Sequence, residues 1–142
     1  MAAQSQNPNV KCVAVIQCHI AHERCPGARC AVVFARREDR FAGYPKDASI
    51  FYVPFTCGGC PGRRVSRLVT QLRKAMQKAG VEPGEIVFHL ASCLSNDNAH
   101  YPPCPHLVYI EKILARKKAR VVRGSRISAT AERRREEGLY ER

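Results

Sequence analysis

The stretch Ile50-Phe51-Tyr52-Val53-Pro54-Phe55-Thr56-Cys57-Gly58-Gly59-Cys60-Pro61-Gly62 carries the chain from a strand-like apolar run through two thiols toward a helix-like basic run. Ser49 to Phe55 predicts a strand that delivers directly into Thr56-Cys57. Beyond the thiols, Val65, Leu68, Val69, Leu72, Met76 and Ala79 recur at spacings of three and four. That period predicts a helix with one apolar face, closed by Gly80, with Arg63, Arg64, Arg67, Arg73, Lys74 and Lys78 mainly on its other faces. Between strand and helix, Cys57 and Cys60 can turn both sulfurs toward one centre, since glycines let the backbone wrap round it. Pro61 suits a first helical turn, which places the pair at the helix's positive end, where thiolate is favoured over thiol.

The same grammar repeats on both sides. Upstream, Cys12-Val13-Ala14-Val15-Ile16-Gln17 is a short apolar strand ending at Cys18-His19, and Cys25-Pro26-Gly27-Ala28-Arg29-Cys30 leads into a helix through Ala31, Val32, Val33 and Phe34. A helix starting at Pro26 brings Cys25 and Cys30 to its front end. Downstream, Glu85 to Leu90 is a third strand leading through Ala91-Ser92 to Cys93, followed by a polar loop from Leu94 to Tyr101. Pro102-Pro103-Cys104-Pro105-His106 then opens a third helix with Leu107, Ile110, Ile113 and Leu114 inward, and Ala119 to Val122 is a fourth strand stopped by Gly124.

Strand, helix, strand, helix, strand, helix, strand predicts an α/β fold: a small parallel sheet of about four strands sandwiched by helices, in a flavodoxin-like or Rossmann-like three-layer arrangement. Residues 1–10 form an N-terminal arm, 11–126 the domain, and 127–142 a basic C-terminal tail with a helix across Ala129 to Gly138. Open parallel sheets bind ligands beyond the carboxyl ends of their strands. Cys18, Cys57 and Cys93 fall there, and Cys25, Cys30, Cys60 and Cys104 lie in the loops or helix starts that follow. Seven of the eight cysteines thus share one rim, and Cys12 is left at the opposite edge as a buried, inert thiol.

Length and composition set limits on the chemistry. The 142 residues suffice for one domain with a real core. No apolar run reaches the roughly 20 residues of a membrane span, and Met1 to Asn9 has no hydrophobic leader core, so the expectation is a cytoplasmic protein without membrane contact. In that compartment the cysteines stay mostly reduced, and a cluster of thiols points to metal or redox chemistry rather than to a disulfide framework. The formal charge is +12, and residues 111–142 hold 11 of the 24 Lys and Arg against 5 of the 12 acids. Lys117, Lys118, Arg120, Arg123, Arg126 and Arg133 to Arg135 can lie on nucleic acid phosphates. A solvated tail is the preferred reading, because Tyr140 is its single aromatic. No phosphate loop, Ser–His–Asp pattern or paired carboxylates occur, which excludes the common hydrolase and nucleotide-binding signatures.

Cys18, Cys25-Pro26-Gly27 with Cys30, Cys57-Gly58-Gly59-Cys60-Pro61-Gly62, Ser92-Cys93 and Cys104-Pro105-His106 together resemble the CGGC-domain family, found largely in anaerobic bacteria and archaea. The resemblance runs from about Lys11 to Gly124 in the family's own motif order. It implies metal binding through cysteines and histidines, with no assigned reaction. Family members follow the fourth strand with Gly, a small residue and His; here Gly124-Ser125-Arg126 stands instead, so any ligand at that place is missing.

The ligand set is therefore Cys18, Cys25, Cys30, Cys57, Cys60, Cys93, Cys104 and His106. Thiolate-rich sites suit zinc or an iron–sulfur cluster. Zinc can take Cys57, Cys60, Cys93 and Cys104, or exchange one thiol for His106. Zinc stands slightly ahead, and seven thiols and a histidine are enough for two centres. His89, inside a strand, reads as a satisfied core histidine; His19, His22 and His100 are weaker candidates than the thiols. Two functions remain: a metal-binding module serving electron transfer or metal handling with a redox or metal-transfer partner protein, or a disulfide or persulfide oxidoreductase with Cys57 attacking and Cys60 resolving.

Overall fold

The computed structural model describes residues 9–95 and 104–137. Four strands form one sheet in which every pairing is parallel: β1 (Cys12–Gln17), β2 (Phe51–Thr56), β3 (Ile86–Leu90) and β4 (Arg120–Arg123), in the order β2-β1-β3-β4. That is the flavodoxin-like order over its first four strands, and it puts the topological switch between β1 and β3. All of β1 and β3 is buried, as continuous apolar runs in a doubly covered sheet require, while β2 and β4 are edges.

The helices are α1 (Ala28–Ala35), α2 (Arg64–Lys78), the single turn α3 (Ser92–Ser95), α4 (Leu107–Arg116) and α5 (Ala129–Glu136). From β1 the chain steps one way to β2, then back past β1 to β3 and on to β4. Right-handed crossovers therefore put α1 on one face and α2 and α4 on the other. The two cores agree. Cys12, Ala14 and Ile16 of β1 pack with Val65, Val69 and Leu72 of α2 and Ile110 and Leu114 of α4, whereas Val13 and Val15 pack with Val33 and Phe34 of α1 and with Phe41 and Tyr44. Each such side chain contributes about 1.5–3 kcal/mol of burial, which is what holds the layers together.

The α2 stripe is buried at Val65, Val69 and Leu72 and half-buried at Leu68 and Met76. The helix ends in a Schellman turn, with Gly80 at φ 88°, Val81 N–H donating to the Met76 carbonyl at 2.9 Å and Gly80 N–H to Gln77 at 3.1 Å.

Three expected boundaries shift. Pro61 is not in the first turn of α2: Gly59 and Gly62 take φ of 106° and 93°, values no helix uses, so Cys57 to Gly62 forms a turn of its own before Arg64. α1 begins at Ala28 rather than Pro26, because Gly27 at its N-cap is left-handed, φ 81°. Leu94 is not loop but part of α3 and fully buried, with the rest of the expected polar loop, including His100, outside the described residues. At the C-terminus, α5 covers most of the expected tail helix, and among the described residues no helix is long and apolar enough to cross a membrane.

Candidate metal centre and a second strand-end pocket

The rim beyond the strand ends holds two pockets. The smaller, about 20 Å³, lies beside α4 and is lined by Cys18, Cys57, Cys60, Cys104 and His106, with Ile20, Gly59, Pro61, Gly62 and Ile110. Its thiols come from the loop after β1, the turn after β2 and the approach to α4. The larger, about 170 Å³, lies beside α1 and receives Cys25, Cys30 and Cys93 together with Gln17, His22, Arg29, Ser92, Ser125 and Arg126. Seven thiols do occupy one end of the sheet, but four face one pocket and three the other. In particular, Cys93 is separated from Cys57, Cys60 and Cys104.

The two pockets meet at the switch point. The Cys18 N–H, just past β1, donates to the Cys93 sulfur, just past β3, at 3.2 Å. On its other side, the Cys18 sulfur receives backbone N–H groups of Ile20 and Ala21, where the chain curls into a 3-10 turn at Ala21–Glu23. Burial raises the Cys18 thiol and outweighs those hydrogen bonds. Cys104 behaves alike: burial raises it, against the His106 N–H at 3.4 Å from its sulfur. Cys93 is pushed up to about 12 and Cys12 to about 11, both by burial, so both remain neutral thiols near neutral pH.

The Cys57–Cys60 turn is built on glycine. Gly62 packs so closely on α4 that a Cβ there would lie 2.8 Å from Ile110 Cδ1. The Arg64 side chain lies across Gly58 and donates to Thr56 Oγ1 at 2.9 Å. Thr56 Oγ1 also accepts the Gly58 N–H at 3.3 Å and lies 2.9 Å from His19 Nδ1. With both lone pairs taken, the hydroxyl donates to His19, which fixes the imidazole proton on Nε2. Cys57 is buried and Cys60 exposed, so the pair spans the pocket from floor to mouth.

In the larger pocket, Ser92 and Ser125 lock the ends of β3 and β4 together: each backbone N–H donates to the other's hydroxyl, at 3.1 and 3.0 Å. Ser92 Oγ donates onward to the Arg126 carbonyl at 2.6 Å, and Ser125 Oγ lies 3.2 Å from the Cys30 sulfur. His22 Nε2 donates to Gln17 Oε1 at 2.7 Å. Gln17, Thr56, Ser92, Ser125, Arg29, Arg64 and Arg126 are site residues that motif reading passes over. Four of them stand one or two places from a strand end, and the switch-point rule alone would have found those.

All eight cysteines are free, and Cys12 is fully buried at the start of β1, away from this rim. Among the described residues no three His, Cys, Asp or Glu side chains are grouped closely enough to hold a metal ion as they stand. The donor chemistry nevertheless fits a soft or borderline metal in the smaller pocket, which four sulfurs and one imidazole line.

The CGGC domain model matches residues 12–126, more than half of the chain. The chain belongs to the CGGC-domain family. This is a cysteine-rich family to which metal binding is ascribed, and the match covers all four strands and every thiol at the rim. The "Uncharacterized protein MJ0582" of Methanocaldococcus jannaschii is similar to this CGGC-domain chain, 33% identical over 102 residues, which span 70% of the chain and 71% of that protein. No solved structure matches it.

Proposed function

We propose that the chain is a metal-binding protein whose centre is the smaller pocket, with Cys18, Cys57, Cys60 and Cys104 as thiolate donors and His106 as the alternative fourth or additional ligand. The observation that carries the reading is their convergence from three separate segments onto one cavity. The cavity of about 20 Å³ has the room of a single small particle. It therefore suits one zinc ion better than an iron–sulfur cluster, which keeps zinc ahead. Binding would draw the donors inward from their present positions. The exposed Cys60, on a turn where nothing lies within 4 Å of a Cβ built at Gly59, has the freedom to do so.

Deprotonating the buried Cys18 and Cys104 is costly without a cation and is offset by one, so affinity falls steeply with acid. The N–H groups aimed at both sulfurs support their thiolate forms. With Cys60 at the mouth, a donor from a partner can replace it, which favours metal handling over a sealed structural role and calls for a metal-transfer or redox protein as partner.

Metal analysis of anaerobically purified protein tests the reading. One zinc per chain, lost in the Cys57→Ser/Cys60→Ser double variant and in Cys104→Ser but retained in Cys12→Ser, is the expected result. Brown protein with iron and sulfide would replace zinc by a cluster, and metal-free protein would sink the proposal. The competing reading, a dithiol oxidoreductase, draws on one observation, the exposure of Cys60. A partner disulfide reaches Cys60 before the buried Cys57, so Cys60 rather than Cys57 is the attacking thiol in that case.

A further inference from the structure

We propose that the larger strand-end pocket is a binding site for a small oxyanion of the sulfate or phosphate kind, held by Arg29 and Arg126 beside Cys25, Cys30 and Cys93. The cavity of about 170 Å³ has room for roughly five or six waters by their share of liquid volume. Such a space admits an oxyanion with a short substituent and little more. Two guanidinium groups and no carboxylate line it, whereas no Arg or Lys lines the neighbouring thiol pocket. Guanidinium forks match oxyanions in pairs of parallel hydrogen bonds, so this lining selects for that ligand class.

The rest of the wall is already committed and rigid. Ser92 and Ser125 spend their hydroxyls on each other's backbone, on Cys30 and on the Arg126 carbonyl, and His22 is turned to Gln17. The incoming anion is thus left to the guanidinium groups. Arg29 stands in the first turn of α1, whose N-cap is glycine without a side-chain cap and whose first turn has no acidic residue. A negative charge there also meets the favourable end of the helix. Cys93, kept neutral by burial, does not oppose it. None of these side chains belongs to the proposed metal centre, and the site stands or falls independently of it.

A chain of formal charge +12 attracts anions everywhere, so the test must be read residue by residue. Full-length protein is titrated with sodium sulfate and, separately, inorganic phosphate at constant ionic strength, while iodoacetamide labelling of each cysteine is followed by mass spectrometry. Expected is saturable slowing of labelling at Cys25 and Cys30, with Cys60 in the neighbouring pocket unaffected. In Arg29→Gln or Arg126→Gln the half-saturating anion concentration rises about tenfold or more, as loss of a charge-assisted hydrogen bond demands, and Arg126→Lys recovers part of it. Slowing that is equal at Cys60, absent with both anions, or unchanged in both glutamine variants overturns the proposal. The wild-type labelling pattern decides even if a variant fails to fold.

Discussion

His89 is fully buried in β3, yet both ring nitrogens are satisfied: the Tyr44 hydroxyl donates to Nε2 at 2.7 Å and Nδ1 donates to the Gly124 carbonyl at 2.8 Å. Burial lowers its pKa from 6.5 to about 4. The unfolded chain therefore binds more protons than the folded one between those values, and stability is lost as pH falls through that window. The full loss is roughly 3 kcal/mol. Urea midpoints at pH 7.5 and 4.5 should show it in the wild type and a flatter dependence in His89→Gln. At Gly62, Ala meets both a left-handed backbone and the Ile110 side chain. Gly62→Ala should destabilise by about 1–3 kcal/mol in denaturant unfolding. Both residues differ in how far sequence reveals them. A histidine inside an apolar strand already reads as core, whereas the close approach of Gly62 to Ile110 depends on a helix that begins 45 residues later. The division of thiols between two pockets was hidden for the same reason, since it depends on left-handed glycines and on which helix each loop meets.

At the scale of elements, the buried strands were the most legible, because continuous apolar runs leave the chain little choice of where to enter and leave the sheet. β1 spans the expected residues without change. Helix starts were less so: Pro26 and Pro61 each look like a first helical position, but the glycine that follows each adopts a left-handed conformation and delays the helix. The segment after α1 was not legible at all. It is tied down by Arg37, a buried cation at φ 54° that donates to the carbonyls of Phe34 at 2.7 Å, Pro45 at 3.1 Å and Ala48 at 3.1 Å and covers the Phe34 ring at 4.4 Å. Removing it leaves those carbonyls without these donors. Arg37→Met should cost about 2–4 kcal/mol, read as a lowered urea midpoint and faster proteolysis between residues 36 and 48.

Across the whole molecule, the layer arrangement followed from the alternation of strands and helices, but the strand order did not, since alternation alone is compatible with more than one winding. The basic C-terminal region divides once its contacts are known. Lys117 donates to Thr70, Arg120 to the Gly84 carbonyl, and Arg123 pairs with Glu111. These cations brace the domain rather than stand ready for phosphates. Ile127 N–H still reaches Asp39, so the body extends at least that far. Truncation after Ser128 should leave the unfolding free energy within about 1 kcal/mol of the full chain and metal stoichiometry unchanged. A large loss in calorimetry would place the last helix in the fold.

Cys18 gives its sulfur to one cavity and its amide hydrogen to a sulfur in the other. Whatever pulls that side chain toward an ion also moves the peptide on which Cys93 leans, and whatever occupies the chamber of Cys93 pushes back by the same route. Filling either compartment should consequently alter the affinity of its neighbour by an equal factor in both directions, the signature of two receptors sharing one hinge.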